Sequence, residues 1–131
     1  MGDAEVADLI RTYLRLVEAR DLVTASALLH PDAEITFPGG RVFGSLDEQI
    51  ASSAGRFRGV RKSFDRVDVA QAADRSVVYV SGHLEGEDLD GQRFTGVRYI
   101  DRFTVEGGLI VEQMVWNDLA ELGIVRRPGD S

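Results

Sequence analysis

The hydrophobic positions follow two different periods along the chain. Val6, Leu9, Ile10, Tyr13, Leu14 and Val17 recur at i, i+3 and i+4, which predicts an amphipathic helix. Asp3 is its expected N-cap, and Asp8, Arg11, Arg15 and Glu18 fall on its polar side. A shorter helix is expected from Asp21 through Leu22, Ala25, Leu28 and Leu29, stopped by Pro31. Residues 33–37 and 41–43 read as short strands either side of Pro38-Gly39-Gly40. Ser45 and Glu48 have the S-x-x-E spacing of a capping box, opening a third helix to about Ala54, with Gly55 past its end. From there the period drops to two, with strands expected at 60–72, 76–88, 92–105 and 109–117. A stub at 119–122 follows, with Asp118 as its expected cap.

One carboxylate interrupts this pattern. Val97, Tyr99, Asp101, Phe103 and Val105 make a period-2 apolar face broken only by Asp101. If Glu106-Gly107-Gly108 is the loop, Val105 lies opposite Leu109, and the pairs 103/111, 101/113, 99/115 and 97/117 follow. Asp101 then sits beside Gln113 and Tyr99 beside Val115, with Asn117 toward the far end. The other face pairs Arg102 with Glu112, Ile100 with Met114 and Arg98 with Trp116, as suits a half-solvated surface. The Asp101 face suits a lined cavity, because a polar group sunk in an apolar wall costs energy unless it is paired or used.

Helices first and a long strand meander afterwards is an α+β order. The expected architecture is a curved antiparallel sheet wrapped around the long first helix, with two further short helices, forming a cone whose interior holds the ligand site. Gly96 is placed to supply a bulge for the curvature. With 131 residues, 44% of them hydrophobic, the chain can build a core of its own; residues 1–125 read as one domain and 126–131 as a flexible tail. The formal charge is −7, and Arg56, Arg58, Arg61 and Lys62 cluster only until Asp65 and Asp68 follow, so no nucleic-acid partner is expected. The absence of cysteine removes disulfides, thiol catalysis and thiolate metal sites, and fits a cytoplasmic protein. No apolar run is long enough to span a membrane, and no His and carboxylate spacing suggests a metal or cofactor.

Two stretches, YLRLVEARDLVTASALLHPDAEITFPGG from Tyr13 and VRYIDRFTVEGGLIVEQMVWND from Val97, carry a resemblance. The chain resembles the nuclear transport factor 2-like superfamily, of cystatin-like fold, in particular its SnoaL-like and ketosteroid isomerase branches. The resemblance implies a sheet curved on a long helix around a deep pocket, and a homodimer through the outer sheet face, here Ile100, Met114 and Trp116. It also implies proton transfer beside a carbonyl, with Tyr13 and Asp101 as oxyanion stabilisers, Asp101 being kept neutral by an apolar site. The base of the ketosteroid isomerases falls on Phe37, which cannot take a proton. The water-activating residues of the limonene epoxide hydrolase branch fall on Ser81, His83 and Val115, and the acid/base of SnoaL-like cyclases also falls on Val115.

His83 is then the replacement base, and its facing has two solutions. A two-residue Asp90-Gly91 turn puts it opposite Arg98, outside; a bulge at Gly96 puts it opposite Tyr99, inside, and the resemblance favours the bulge. His30 is expected at the surface. The reading is a cofactor-independent isomerase, cyclase or lyase acting on a hydrophobic or aromatic small molecule, with Tyr13, Asp101 and His83 catalytic. Phe37, Ser81, Val97, Tyr99, Gln113, Val115 and Asn117 would bind the substrate. The alternative is a ligand-binding or dimerisation module of the same fold without chemistry.

Overall fold

The structure, a computed structural model, describes residues 1–126; most of the expected tail, 127–131, lies outside the described residues. Among the described residues three helices, α1 Asp3–Glu18, α2 Leu22–Ser26 and α3 Leu46–Ala54, accompany seven strands. The strands are β1 Leu29–Phe37, β2 Arg41–Phe43, β3 Phe57–Lys62, β4 Arg66–Gln71, β5 Ser76–Asp88, β6 Arg93–Glu106 and β7 Leu109–Asn117. They form one sheet in the order β2-β1-β7-β6-β5-β3, with β4 also on β5. The architecture is the expected α+β one, but β1 runs parallel to β7, so the sheet is mixed rather than wholly antiparallel. Hairpins fix the sense of neighbouring strands; β1 and β7 are joined only through most of the chain, and no local turn dictates theirs.

The first helix forms where its period placed it. Val6, Ala7, Ile10, Tyr13 and Leu14 are buried, and α1 packs on β4, β5 and α2. Its N-cap is Gly2 rather than Asp3, whose carboxylate instead accepts from Gln71 at 2.8 Å. The second helix ends at Ser26, and Pro31 lies inside β1 rather than at a helix end. It falls in the irregular stretch between Leu29 and Glu34, where the ladder to β7 needs no donor from it. Half of the capping box forms, since Ser45 Oγ accepts from Glu48 N at 3.2 Å; the Glu48 carboxylate accepts from Gly44 N at 3.3 Å, one residue before the cap.

The strand expected over 60–72 is two strands, broken at 63–65. Both halves pair with β5, and the break lies beside Gly82. A Cβ at Gly82 would stand 2.3 Å from the Ser63 carbonyl oxygen, and one at Gly86 would stand 2.0 Å from that of Gly59. β3 therefore lies against β5 only because these positions lack side chains. Gly86→Ala should cost toward the upper part of about 1–3 kcal/mol, read as a lower urea midpoint, because the obstructing atom is backbone.

The β6–β7 register also differs from the expected one. Gly107 and Gly108 both have positive φ, 58° and 79°, which permits a two-residue turn and pairs Glu106 with Leu109. A bulge then follows between Thr104 and Val105, so Phe103 meets Gln113, Asp101 meets Val115 and Tyr99 meets Asn117. Beyond the bulge the two one-residue offsets add to two, so those side chains keep their face although every partner changes; before it the single offset puts the fully buried Ile110, in place of Leu109, opposite Val105. Val97, Tyr99, Asp101, Phe103, Val105, Gln113 and Val115 are buried, while Ile100 and Trp116 form an exposed outer pair. Met114 pairs with Arg102 rather than Ile100, and Arg102 meets Glu112 diagonally at 2.8 Å. Arg98 donates to Asp118 at 2.7 Å instead of covering Trp116, and Asn117, not Asp118, caps the following turn by accepting from Leu119 N at 3.2 Å.

Candidate active site

The sheet and helices enclose a cavity of about 250 Å³ with a mainly apolar wall that includes Leu14, Val17, Phe43, Val60, Leu84 and Val115. That volume lies just under the span of about 300–1,000 Å³ common for drug-sized ligands, so a small organic molecule suits it. α1 contributes Tyr13, β7 contributes Gln113 and β6 contributes Tyr99; each sits on the inward period of its element.

Asp101 is the electrostatic centre of this region. It is 0% exposed and does not itself line the cavity. Its Oδ2 accepts from Lys62 Nζ at 2.5 Å, while Oδ1 has no hydrogen-bond partner among the described residues. Burial pushes the Asp101 carboxyl above the ordinary carboxylate value, and the Lys62 charge pulls it back. The result is a buried carboxyl group and a lysine set against each other in an apolar wall. Burial, reinforced by the negative charge of Asp101, raises both the Tyr13 and the Tyr99 phenols, which therefore stay protonated donors at neutral pH.

Lys62 was not identified from the sequence, and it is the group that meets the cavity in place of Asp101. Its side chain is 16% exposed and lies over the Tyr99 ring at 4.9 Å. The C-terminal turn of α1 fixes its backbone from both sides. Glu18 accepts from Lys62 N at 2.7 Å, and Arg15 donates to Lys62 O at 3.0 Å. Tyr99 hydroxyl donates to the next carbonyl, Ser63 O, at 2.5 Å. One signal for Lys62 was present: it stands two residues after Val60, on the same side of the strand. Without the β3–β5 register that side could not be tied to Asp101.

Of the other sequence-selected residues, Phe37, Tyr99, Gln113, Val115 and Asn117 line the cavity. Tyr13 hydroxyl donates to Gln113 Oε1 at 3.4 Å, and Phe103 supports the Tyr13 ring edge-on at 6.0 Å. Val97 is fully buried but does not reach the cavity surface. Ser81 and His83 lie on the outer side, contrary to expectation, because β5 turns Val78, Val80 and Leu84 inward. The Gly96 bulge is present, with φ 70°. The turn is also one residue longer than expected, since Asp88 pairs with Gln92 around 89–91. The two offsets cancel, so His83 stands opposite Arg98, 53% exposed, with Nδ1 2.8 Å from Asp65 Oδ2. His30 is half-buried, and its Nδ1 accepts from Asp32 N at 3.0 Å.

Residues 10–113 match the SnoaL-like domain family. The chain belongs to that family. None of the curated proteins compared matches it. Among solved structures, this SnoaL-like domain is similar to TerC co-crystallised with polyporic acid, with a TM-score of 0.70 and 20% identity over 88% of this chain and 92% of that one. It is also similar to an NTF2-like protein from Burkholderia pseudomallei, at TM-score 0.69 and 21% identity over 92% and 96% of the two chains. A third, an NTF2-like protein with a cystatin-like fold from Novosphingobium aromaticivorans, gives TM-score 0.65 and 16% identity over 86% and 79%. At these identities the likeness is one of fold, and it agrees with the architecture above. Among the described residues, no helix of the SnoaL-like domain is long and apolar enough to cross a membrane. No group of three His, Cys, Asp or Glu side chains among them is placed to hold a metal ion.

Proposed function

We propose that this SnoaL-like domain binds a small cyclic ketone in the cavity and moves a proton beside its carbonyl, as an isomerase, cyclase or lyase would, with the Glu18 carboxylate on the cavity lining as the group that would take the proton from carbon. The observation that carries this reading is the gathering of Tyr13 and Lys62 about the buried Asp101 at an apolar cavity wall. A phenol that stays protonated and an ammonium held in low dielectric are the donors an enolate oxygen needs. Asp101 then acts through Lys62, fixing its position and charge, instead of donating to the ligand itself. Phe37 and Val115 form apolar wall, and Gln113 and Asn117 orient the ligand. A homodimer through Ile100, Met114 and Trp116 belongs to the same proposal, since Ile100 and Trp116 are large exposed apolar groups on one face.

A second reading, binding without turnover, is favoured by the state of Glu18. It is the one carboxylate on the cavity lining among the described residues, and its two oxygens already accept from Lys62 N and Arg15. The experiment is a thermal-shift screen against cyclic ketones, phenols and polyketide-like aromatics, where a hundredfold excess over Kd adds roughly 3 kcal/mol of stability. Proton exchange into deuterated water is then followed by NMR on any hit. Tyr13→Phe should slow that exchange roughly a hundredfold, the usual loss for one oxyanion donor. Unchanged exchange in the variant removes Tyr13 from the chemistry, and binding with no exchange in the parent protein selects the second reading.

A further inference from the structure

The cavity lining is polar in a second place, remote in burial from Asp101. Arg20, Arg41, Arg56 and Lys62 line the cavity against the single carboxylate of Glu18. Lys62 is matched by Asp101, and Glu18 by Arg15. Arg20 is exposed and turned onto the Val17 carbonyl at 2.7 Å. Arg41 and Arg56 remain, and neither forms an ion pair among the described residues.

These two side chains are held in place by neutral groups. Arg41 donates through Nε to Pro38 O and through Nη1 to Ser52 Oγ, each at 3.3 Å, and lies 5.9 Å from the Phe43 ring centroid. Those bonds use two of its N–H groups, so the rest of the fork is available to a planar acceptor. Arg56 is tethered by Nη2 to Arg126 O at 2.9 Å. Partial burial, and the charge of Arg56, lower the Arg41 value from its ordinary one, so an anion placed between them would relieve both effects. Two arginines on one cavity lining, in a chain of net charge −7, have no counter-charge among the described residues.

We propose that Arg41 and Arg56 form a carboxylate clamp on the cavity lining, so that the ligand is a keto acid whose apolar ring system separates the carbonyl from the carboxylate. The carbonyl half of this statement rests on the reading of Tyr13 and Lys62 given above. Phe43, Ile50 and Phe57 line the same cavity and offer the middle of such a molecule an apolar surface.

The test is calorimetric titration with acetylnaphthoate and with its neutral isostere, acetylnaphthamide. The acid should bind about tenfold or more tightly, as expected when a carboxylate meets arginine donors rather than water. The acid-to-amide ratio should fall toward one in Arg41→Gln and in Arg56→Gln, and should shrink as salt is raised. Equal affinities for acid and amide, a ratio that survives in the double variant, or no binding of either probe would overturn the clamp. Tyr13→Phe separates the two ideas, because the carbonyl reading requires it to weaken both probes alike. If Tyr13→Phe weakens both while acid and amide bind equally, the clamp fails and the carbonyl reading stands. If the ratio holds but Tyr13→Phe changes neither probe, the carbonyl reading fails and the clamp stands.

Discussion

Lys62→Met should destabilise the protein by about 3–5 kcal/mol at about pH 8, the cost of stranding one member of a buried ion pair. Asp101 would then be a fully buried carboxyl with no counter-charge, since Lys62 is its hydrogen-bonded partner and Oδ1 has none among the described residues. The loss should depend on pH in a definite direction. Burial already holds the Asp101 carboxyl above its ordinary 3.8, and Lys62, with a smaller contribution from Gln113, pulls it down. Removing Lys62 lets the folded-state value climb further. Above about pH 4 the unfolded chain has released this proton while the folded chain retains it, so stability falls as pH rises through the folded-state value. Melting temperatures of the variant should therefore recover as the buffer is taken from about pH 8 to about pH 5, relative to the parent protein. A difference independent of pH would mean that Asp101 is not the group left stranded. Adding Asp101→Leu to Lys62→Met should restore most of the stability, because well-packed apolar residues replace a buried pair at little cost.

Phe103→Ala should cost about 3–5 kcal/mol, measured by urea denaturation. Phe103 is fully buried on the central strand β6, between β5 and β7, and is among the largest side chains of the core. Its ring meets Tyr13 edge-on, so the vacated space adjoins a cavity-lining side chain. Affinity for any ligand held by Tyr13 should therefore drop along with stability, whereas Gly86→Ala perturbs the site through β3 and Lys62. A loss under about 1 kcal/mol would show that the surroundings collapse onto the vacated space.

These two residues also mark where the sequence was legible. Phe103 and Asp101 were both assigned to the inner face from period-2 alternation alone, and both lie there. The alternation survived two errors in the β6–β7 register because two one-residue offsets restore the original face. At His83 the same arithmetic worked the other way. The Gly96 bulge was anticipated, the three-residue turn at 89–91 was not, and a single uncounted offset moved the imidazole from the cavity to solvent. Turn length is set by a few backbone dihedrals whose energies differ little, so composition alone does not fix it.

The residues that were missed share one physical cause. Lys62 and Arg41 sit on short strands, and Arg56 on the loop after α3; apart from the i+2 spacing of Lys62 from Val60, their immediate neighbours do not say what they face. Asp101 announced itself because a carboxylate in an apolar run violates a local pattern. Its partner obeyed no local rule, being 39 residues away on a strand tied to the site by pairing with β5 and by hydrogen bonds to the end of α1, both long-range contacts.

The sequence by itself determined the presence of three helices, the inward and outward faces of β6 and of β7 beyond its bulge, the α+β order and the resemblance to the SnoaL-like branch. Each of these is written in short-range periodicity, capping residues and turn glycines, which act over a few residues. Tertiary structure decided the parallel β1–β7 pairing, the exposure of His83, the Lys62–Asp101 pair and the two arginines on the cavity lining. Those depend on which distant strands become neighbours, and long-range pairing follows from the sum of all packing and loop-closure terms rather than from any one segment.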